Sequence, residues 1–179
     1  MSLFISCQKE IPTPSQELAA TNKVTTTTES ALDYYSCGDK LETPQRTSNN
    51  LIAGLTTITN NFAYIEVTIE TTGNWILDKT RIYIGTSSGV PLNSNGTPKI
   101  NDFPYKTSHP WDTQVYKLRI PKGSLTGNIT IVVQADVLRV NKTTCAIYEC
   151  RSSYADGVAF VSGNVAQKVN YAIRPCIEI

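Results

Sequence analysis

An unbroken alternation of apolar and polar residues between Ala63 and Glu70 constrains the fold more than any other part of the sequence. One face of this run would carry Ala63, Ile65, Val67 and Ile69, and the other Tyr64, Glu66, Thr68 and Glu70. A period of two is typical of a β-strand with one buried face. Turn-forming residues at Thr71–Asn74 lead to a second run, Trp75–Ile84, so we predict an antiparallel hairpin with one apolar face. That face needs a second sheet to cover it.

The remaining strand signals indicate an all-β domain. Further runs rich in β-branched or alternating residues lie at Leu51–Thr59, Thr113–Ile120, Asn128–Val140, Gly157–Val161 and Val169–Arg174. In the second of these, Tyr116, Leu118 and Ile120 are predicted to face the core. About seven or eight strands with closely spaced turn signals, and no convincing helix, favour an antiparallel β-sandwich, either immunoglobulin-like or jelly-roll-like.

The N-terminus contains a candidate lipidation site at Cys7. Phe4-Ile5-Ser6-Cys7 resembles the end of a bacterial lipoprotein signal, in which a small residue precedes the cysteine that takes the lipid. Gln8-Lys9-Glu10 resembles the short tags that direct lipoproteins of some Gram-negative bacteria to the outer surface. We therefore expect a lipid-anchored protein of the outer membrane or cell surface. The alternative is a cysteine that occurs by chance in a disordered leader.

Residues 8 to about 30 are predicted to be a disordered tether. They include Pro12, Pro14 and the run Thr25–Thr28, and they have few bulky apolar side chains. Such a segment cannot bury enough apolar surface to offset the entropy lost on ordering. We therefore divide the chain in two. Residues 1–30 hold a truncated lipoprotein signal, the lipidation cysteine and the Thr-rich tether, and residues 31–179 form the β-sandwich domain.

The cysteines other than Cys7 predict a disulfide framework. They are Cys37, Cys145, Cys150 and Cys176, which allow three pairings, and an exported domain favours their oxidation. We favour Cys145–Cys150, which would staple a tight bend, together with Cys37–Cys176, near the two ends of the folded region. Free thiols or a zinc site are the alternatives. A single histidine and the lack of a Cys-x-x-Cys pair argue against zinc, and no metal or other cofactor is predicted.

Charge and composition exclude two classes of function. Sixteen basic and fifteen acidic residues leave a net charge of +1, and the basic residues do not cluster. A nucleic-acid-binding protein would be expected to carry a basic patch, so no nucleic-acid partner is predicted. No apolar run reaches the roughly 18 residues that a membrane-spanning helix needs. Contact with a membrane is therefore expected only through the N-terminal lipid.

No set of residues in the sequence predicts catalysis. His109 is expected to lie in a surface loop, because no nucleophile motif accompanies it. Glu66 and Glu70 share a strand face, as a pair of hydrolytic carboxylates would, but cross-strand ion pairs on a solvated face are the simpler interpretation. The basic side chains available for such pairs are Arg81, Lys117 and Arg119. We therefore expect a protein that is not an enzyme.

The longest irregular stretch, Thr86 to Asp112, is the candidate ligand-binding loop. Long loops in compact domains are usually functional or are anchored by their own side chains. The aromatic residues of this loop, Phe103, Tyr105 and Trp111, could stack on sugar rings or anchor a protein partner. The alternative is that Phe103 and Tyr105 cap one end of the core. We expect Phe103 to be buried and Trp111 to be exposed.

Several motifs resemble a β-sandwich domain family of bacterial exported and surface-anchored lipoproteins. The motifs are Phe62–Val67, Gly73-Asn74-Trp75, Ile82–Gly85, Asn95–Pro98 and Phe103–Lys106, followed by Ser153–Gly157 and Gly163-Asn164, which are similar to a closing motif. Val165 stands where the family pattern has a tryptophan. The resemblance covers about residues 50 to 174 and implies a β-sandwich fold and a cell-surface context. It implies no reaction and no catalytic residue.

Together these features predict a cell-surface lipoprotein that acts as a non-enzymatic binding or adhesion module. Its partner would be an unknown protein or glycan ligand. The alternative function is that of a glycan-binding accessory protein in a polysaccharide-uptake system, with the Thr86–Asp112 loop as the site.

Overall fold

The computed structural model of the chain describes Cys37 and residues 40–176. Ten strands lie in this part of the chain: β1 (Leu41–Thr47), β2 (Ile52–Asn60), β3 (Tyr64–Thr71), β4 (Trp75–Gly85), β5 (Tyr105–Ser108), β6 (Val115–Pro121), β7 (Gly127–Val140), β8 (Ile147–Ala155), β9 (Val158–Ala159) and β10 (Gln167–Ile173). Two single turns of 3-10 helix, Ser87–Gly89 and Ile100–Asp102, separate β4 from β5. The all-β prediction is confirmed. The predicted lipidation site at Cys7 and the tether lie outside the described residues.

The strands form one antiparallel sheet that curls into a half-barrel. Its order is β5-β4-β7-β8-β1-β2-β3-β6, and β10 pairs with β7 and β9 off this path. The long strand β7 is the centre of one half, because it pairs with β4 along one edge and with β8 and β10 along the other. Two separate stacked sheets, as in the predicted sandwich, are not present among the described strands. The sheet covers its apolar face by curling over itself.

The main core fills the concave face of this sheet. Ile65, Val67 and Ile69 of β3 are completely buried, as their alternation predicts. Across from them lie Leu77, Ile82 and Ile84 of β4 and the inward residues of β7, which are Ile129, Ile131, Val133, Ala135 and Val137. On β6, Ile120 is buried and Tyr116 and Leu118 pack against the core, as expected. Removing this apolar surface from water is the main force that holds the two halves together.

Strands β3 and β4 are consecutive but do not pair, which corrects the predicted hairpin. β3 pairs with β2 and β6, whereas β4 pairs with β5 and β7. At the corner between them, the N–H groups of Thr71 and Leu77 donate to the carbonyls of Gln114 and Thr113, each at 2.8 Å. The physical reason is burial. A hairpin would leave the apolar face of both strands in one uncovered layer, whereas the corner sets the two faces opposite each other.

Strand β1 has no apolar pattern, and the sequence signals do not predict it. Its inward side chains are Thr43, Gln45 and Thr47, all buried. Gln45 donates to the Ser153 hydroxyl at 3.0 Å and accepts from the Thr56 hydroxyl at 2.7 Å. Ser153 in turn donates to the Ala135 carbonyl at 3.0 Å. Because these buried polar groups satisfy one another, β1 can occupy the middle of the sheet without apolar side chains.

The Cys37–Cys176 disulfide is present, as predicted, and joins residues 139 positions apart. The backbone around it is tied to the end of β2. The Cys37 N–H donates to the Asn60 carbonyl at 2.7 Å, and the Asn60 side chain donates to the Arg174 carbonyl at 3.1 Å. The start and the end of the described chain therefore meet at one place.

The predicted Cys145–Cys150 bridge is not formed, because Cys145 carries a free, exposed thiol. The two cysteines lie in different surroundings. Cys150 belongs to the extended strand β8 and packs against the small apolar cluster of Ile76, Leu138 and Val140. Cys145 lies before β8, in the turn that follows β7.

Candidate functional site

The connections between strands gather at two ends of the curled sheet. The distal end, as we name it, holds the β1–β2, β3–β4, β5–β6 and β7–β8 connections, and the disulfide end holds Cys37–Cys176 and the β2–β3 and β6–β7 connections. The pairing of β1 with β2 fixes this assignment, since Leu41 faces Ile58 and Arg46 faces Ile52. From Ile52 to Asn60, β2 takes eight residue steps of about 3.3 Å each, so the two ends lie roughly 26 Å apart.

The predicted ligand-binding loop is divided into parts with different roles. Its first part, up to Pro104, covers the convex face of the sheet near β4 and β7. Phe103 is 1% exposed and packs there with Tyr83, Val90 and Val132. The rings of Phe103 and Tyr83 lie 6.0 Å apart, centroid to centroid. Phe103 is therefore buried, as expected, in a second apolar cluster and is not available to a ligand.

Tyr105 belongs to a strand, which corrects the prediction of one irregular loop. It begins β5, pairs with Ile82 of β4 and lies half-buried against the main core. The stretch before it also contains an isolated bridge between Leu92 and Pro98. Part of this segment, whose four prolines suggested an irregular loop, is therefore held by backbone hydrogen bonds to β4 and by this local bridge.

Trp111 lies at the distal end, on the turn that joins β5 to β6, and its side chain is 40% exposed. The turn is held by hydrogen bonds at both sides. The His109 N–H donates to the Asp78 carbonyl, and the Thr113 hydroxyl donates to the Pro110 carbonyl, each at 2.8 Å. Asp112 adopts the left-handed conformation, with φ of 65°. Trp111 is thus exposed, as expected, and is presented on an ordered turn.

His109 is buried, which corrects its prediction as a surface histidine. It is 5% exposed, and its Nε2 lies 3.0 Å from the Thr80 hydroxyl. Its ring meets the Tyr116 ring edge-on, with 4.7 Å between centroids. The side chain thereby fills the space between β4 and the start of β6. It supports the turn that carries Trp111.

A second exposed aromatic residue at the distal end, Tyr148, was not singled out in the sequence. Its side chain is 64% exposed, and its hydroxyl accepts a hydrogen bond from Asn141 Nδ2 at 2.8 Å. Lys142, which follows Asn141 in the sequence, donates to Gln114 Oε1 at 2.9 Å and lies 4.0 Å from an Asp112 carboxylate oxygen. The β7–β8 turn therefore connects Tyr148 to the Trp111 turn. The polar Asn141–Thr144 sequence is a turn signal, but the exposure of Tyr148 depends on how the sheet curls.

The distal end exposes more apolar surface than these two rings. The large apolar side chains exposed there are Leu51, Ile52, Trp111, Val115 and Tyr148. They lie in or beside three different connections, β1–β2, β5–β6 and β7–β8, which the curl of the sheet brings to one end. Exposed apolar residues grouped in this way are typical of a binding surface.

The convex face carries a polar network that links strands. Arg81 Nη1 donates to Asp136 at 2.9 Å and to Gln134 at 2.7 Å, and the Ser152 hydroxyl donates to Asp136 at 3.1 Å. Burial and the Asp136 carboxylate raise the pKa of the Tyr154 hydroxyl, an effect that Arg81 partly offsets. These groups bond to one another across β4, β7 and β8, so they stabilise the sheet.

On the exposed face of β3, Glu66 forms cross-strand ion pairs of the predicted kind. Glu66 contacts Lys117 at 2.9 Å and Arg119 at 2.6 Å, whereas Arg81 pairs with Asp136. Burial alone would raise the pKa of Glu66, but the hydrogen bonds from Arg119 and Lys117 outweigh it and hold the pKa below 4.5. Within residues 40–176, no group of His, Cys, Asp and Glu side chains could hold a metal ion.

Comparison of the chain with known protein families, with curated proteins and with solved structures gave no match. In the part of the chain that the structure describes, no helix is both long and apolar enough to span a membrane.

Proposed function

We propose that the protein is a cell-surface lipoprotein whose domain is a non-enzymatic binding module, and that its ligand docks at the distal end. The observation that carries the proposal is the pair of exposed aromatic side chains at that end, Trp111 on the β5–β6 turn and Tyr148 at the start of β8. Amphipathic rings that remain exposed are frequent anchors of ligand and protein contacts.

The position of the chain start supports this use of the distal end. A lipid on Cys7 would connect to the domain through the segment that precedes Cys37. Cys37 is fixed to Cys176 and to Asn60 at the disulfide end. A domain attached in this way would have its distal end at the side opposite its point of attachment, free to meet ligands outside the cell.

We also propose that the curled sheet is a variant of the β-sandwich found in the surface-lipoprotein family that the motifs resemble. Gly73-Asn74-Trp75 forms the corner between the two facing halves, and Trp75 is buried in the core. Phe103 of the Phe-x-Tyr motif is buried beneath the convex-face segment. These motif residues contribute to packing. This is expected if the family shares a fold but not a reaction.

Cell fractionation tests the anchor. The full chain, expressed behind a lipoprotein signal peptide in a Gram-negative host, should fractionate with the outer membrane and be accessible to antibody on intact cells. Cys7→Ala should release it in soluble form. Wild-type protein recovered from the soluble periplasm would contradict the anchor.

Binding to surfaces tests the module. Purified protein should bind at least one member of a panel of extracellular-matrix proteins and glycans, and Trp111→Ala should weaken this binding at least about tenfold, as loss of an interface anchor does. Val165→Ala, which changes an exposed apolar residue away from the distal end, should leave binding unchanged. Binding that survives both Trp111→Ala and Tyr148→Ala would rule out the distal end as the site.

A further inference from the structure

We infer that the ligand of the distal end is an uncharged saccharide chain that stacks on Trp111 and Tyr148, an inference that rests on the proposed function and names its class of ligand. Sugar rings present flat C–H faces bordered by hydroxyl groups. They are therefore recognised by exposed aromatic rings with hydrogen-bonding side chains close by.

Polar side chains lie on the elements that carry the two rings. Asn141 contacts the Tyr148 hydroxyl, and its neighbour in the sequence, Lys142, contacts Gln114 and approaches Asp112, the residue after Trp111. These contacts form a polar row of amide, ammonium, carboxylate and phenol groups that connects the turn carrying Trp111 with Tyr148. Such groups can donate to sugar hydroxyls and accept from them.

This arrangement fits a sugar better than a protein. A protein interface usually has a contiguous apolar centre surrounded by a polar rim. At the distal end, by contrast, a row of polar contacts from Asn141 through Lys142 to Gln114 connects the elements that carry the two rings. A chain of sugar units can follow such a row, with one unit on each ring and its hydroxyls over the polar groups.

The charges in the row favour a neutral ligand. Lys142 and Asp112 have opposite charges and lie 4.0 Å apart. Asn141 and Gln114, the other polar members, are uncharged. An acidic polysaccharide would meet the Asp112 carboxylate, whose side chain is 60% exposed, and the resulting repulsion would offset its attraction to Lys142.

Both rings lie on ordered elements, which lowers the entropy cost of binding. The Trp111 turn is fixed by its own hydrogen bonds and by Gln114, whose carbonyl accepts from the Thr71 N–H at 2.8 Å. Tyr148 lies at the start of β8. In the β7–β8 turn before it, Asn141 Oδ1 accepts from the N–H groups of Thr143 and Thr144 at 2.9 Å and 3.1 Å.

Affinity electrophoresis and tryptophan fluorescence of the full chain test the inference. The probes are three neutral polysaccharides (a mixed-linkage β-glucan, xylan and dextran) and one acidic polysaccharide (alginate). We expect at least one neutral polysaccharide to retard the protein and to change the emission of Trp111, while alginate does neither. The Trp111→Ala variant separates out the emission of the second tryptophan, Trp75, which is 6% exposed.

Matched variants locate the binding. Trp111→Ala and Tyr148→Ala should each weaken saccharide binding at least about tenfold, and Tyr148→Phe, which keeps the ring, should weaken it less. Tyr64→Ala is the control, because Tyr64 is a partly exposed aromatic residue at the opposite end of β3. Circular dichroism spectra and melting temperatures confirm that each variant is folded.

The outcomes separate this inference from the proposed function. Binding of alginate alone would overturn the neutral-ligand assignment. No binding of any polysaccharide, together with Trp111-dependent binding of a matrix protein, would overturn the saccharide assignment and leave the binding module standing. Polysaccharide binding that is lost in Tyr64→Ala and kept in Trp111→Ala would overturn the distal-end site itself.

Discussion

At the scale of single residues, Glu66 is a carboxylate whose ionisation should stabilise the fold. Arg119 and Lys117 hold its pKa below 4.5 in the folded protein. A group with a lowered folded-state pKa contributes stability above its unfolded pKa and loses it as the pH falls through the folded value. Glu66→Gln should therefore cost about 1 kcal/mol of unfolding free energy at pH 7, and the difference from wild type should close in acid. Urea denaturation of wild type and Glu66→Gln at a series of pH values measures this difference in unfolding free energy.

Glu70→Gln is the matched control, because Glu70 is exposed on the same face of β3, opposite Val115 instead of two cations. Its effect at pH 7 should be smaller. A deficit in Glu66→Gln that persists at acid pH would show that the side chain acts through packing and not through its charge.

At the scale of elements, the segment before β5 packs on the convex face of the sheet through Phe103, whereas the turn after β5 exposes Trp111 to solvent. Phe103→Ala would leave a cavity among Tyr83, Val90 and Val132, so it should destabilise the protein by about 3–5 kcal/mol. Trp111→Ala removes a side chain that is 40% exposed and should cost about 0.5 kcal/mol or less. Guanidinium unfolding of both variants compares the two costs. Equal costs would contradict this division of the segment.

At the scale of the whole molecule, the disulfide closes a loop of nearly the entire described chain. Cys37 and Cys176 are 139 residues apart, so the bond removes much of the entropy of the unfolded chain. Changing both cysteines to serine should cost about 2–5 kcal/mol, and a reducing agent should lower the wild-type stability to the same level. Cys145→Ser, which changes an exposed free thiol, should leave the midpoint of guanidinium unfolding unchanged. Peptide mapping that finds Cys37 joined to a different cysteine would contradict the pairing.

The separation of the distal end from the disulfide end is also a property of the whole molecule. Roughly 26 Å of β2 separates Ile52 at the distal end from Asn60 beside the disulfide. A ligand site at the distal end would therefore remain clear of the surface to which the chain start leads.

Local pattern in the sequence determined strands β2, β3, β4, β6, β7 and β10 and the faces they bury, but not β1, β5 or β8. The alternation in β3 predicted burial of Ile65, Val67 and Ile69, and the alternation in β6 predicted which residues face the core, because a period of two is a property of each strand by itself. The Cys37–Cys176 pair followed from the places of the two cysteines near the ends of the folded region. Burial of Phe103 and exposure of Trp111 were also predicted correctly.

Only the tertiary structure decided which strands pair and which side chains meet. β3 and β4 lie on facing halves because that arrangement covers both apolar faces, a gain that neither strand shows by itself. β1 is held by buried hydrogen bonds from Gln45 to Thr56 and Ser153, and no apolar pattern marks it. His109 is buried by β4 and β6, which lie far from it in the sequence. Tyr148 reaches the Trp111 turn because the curl of the sheet brings the β7–β8 and β5–β6 connections to one end, and that curl depends on the packing of the whole core.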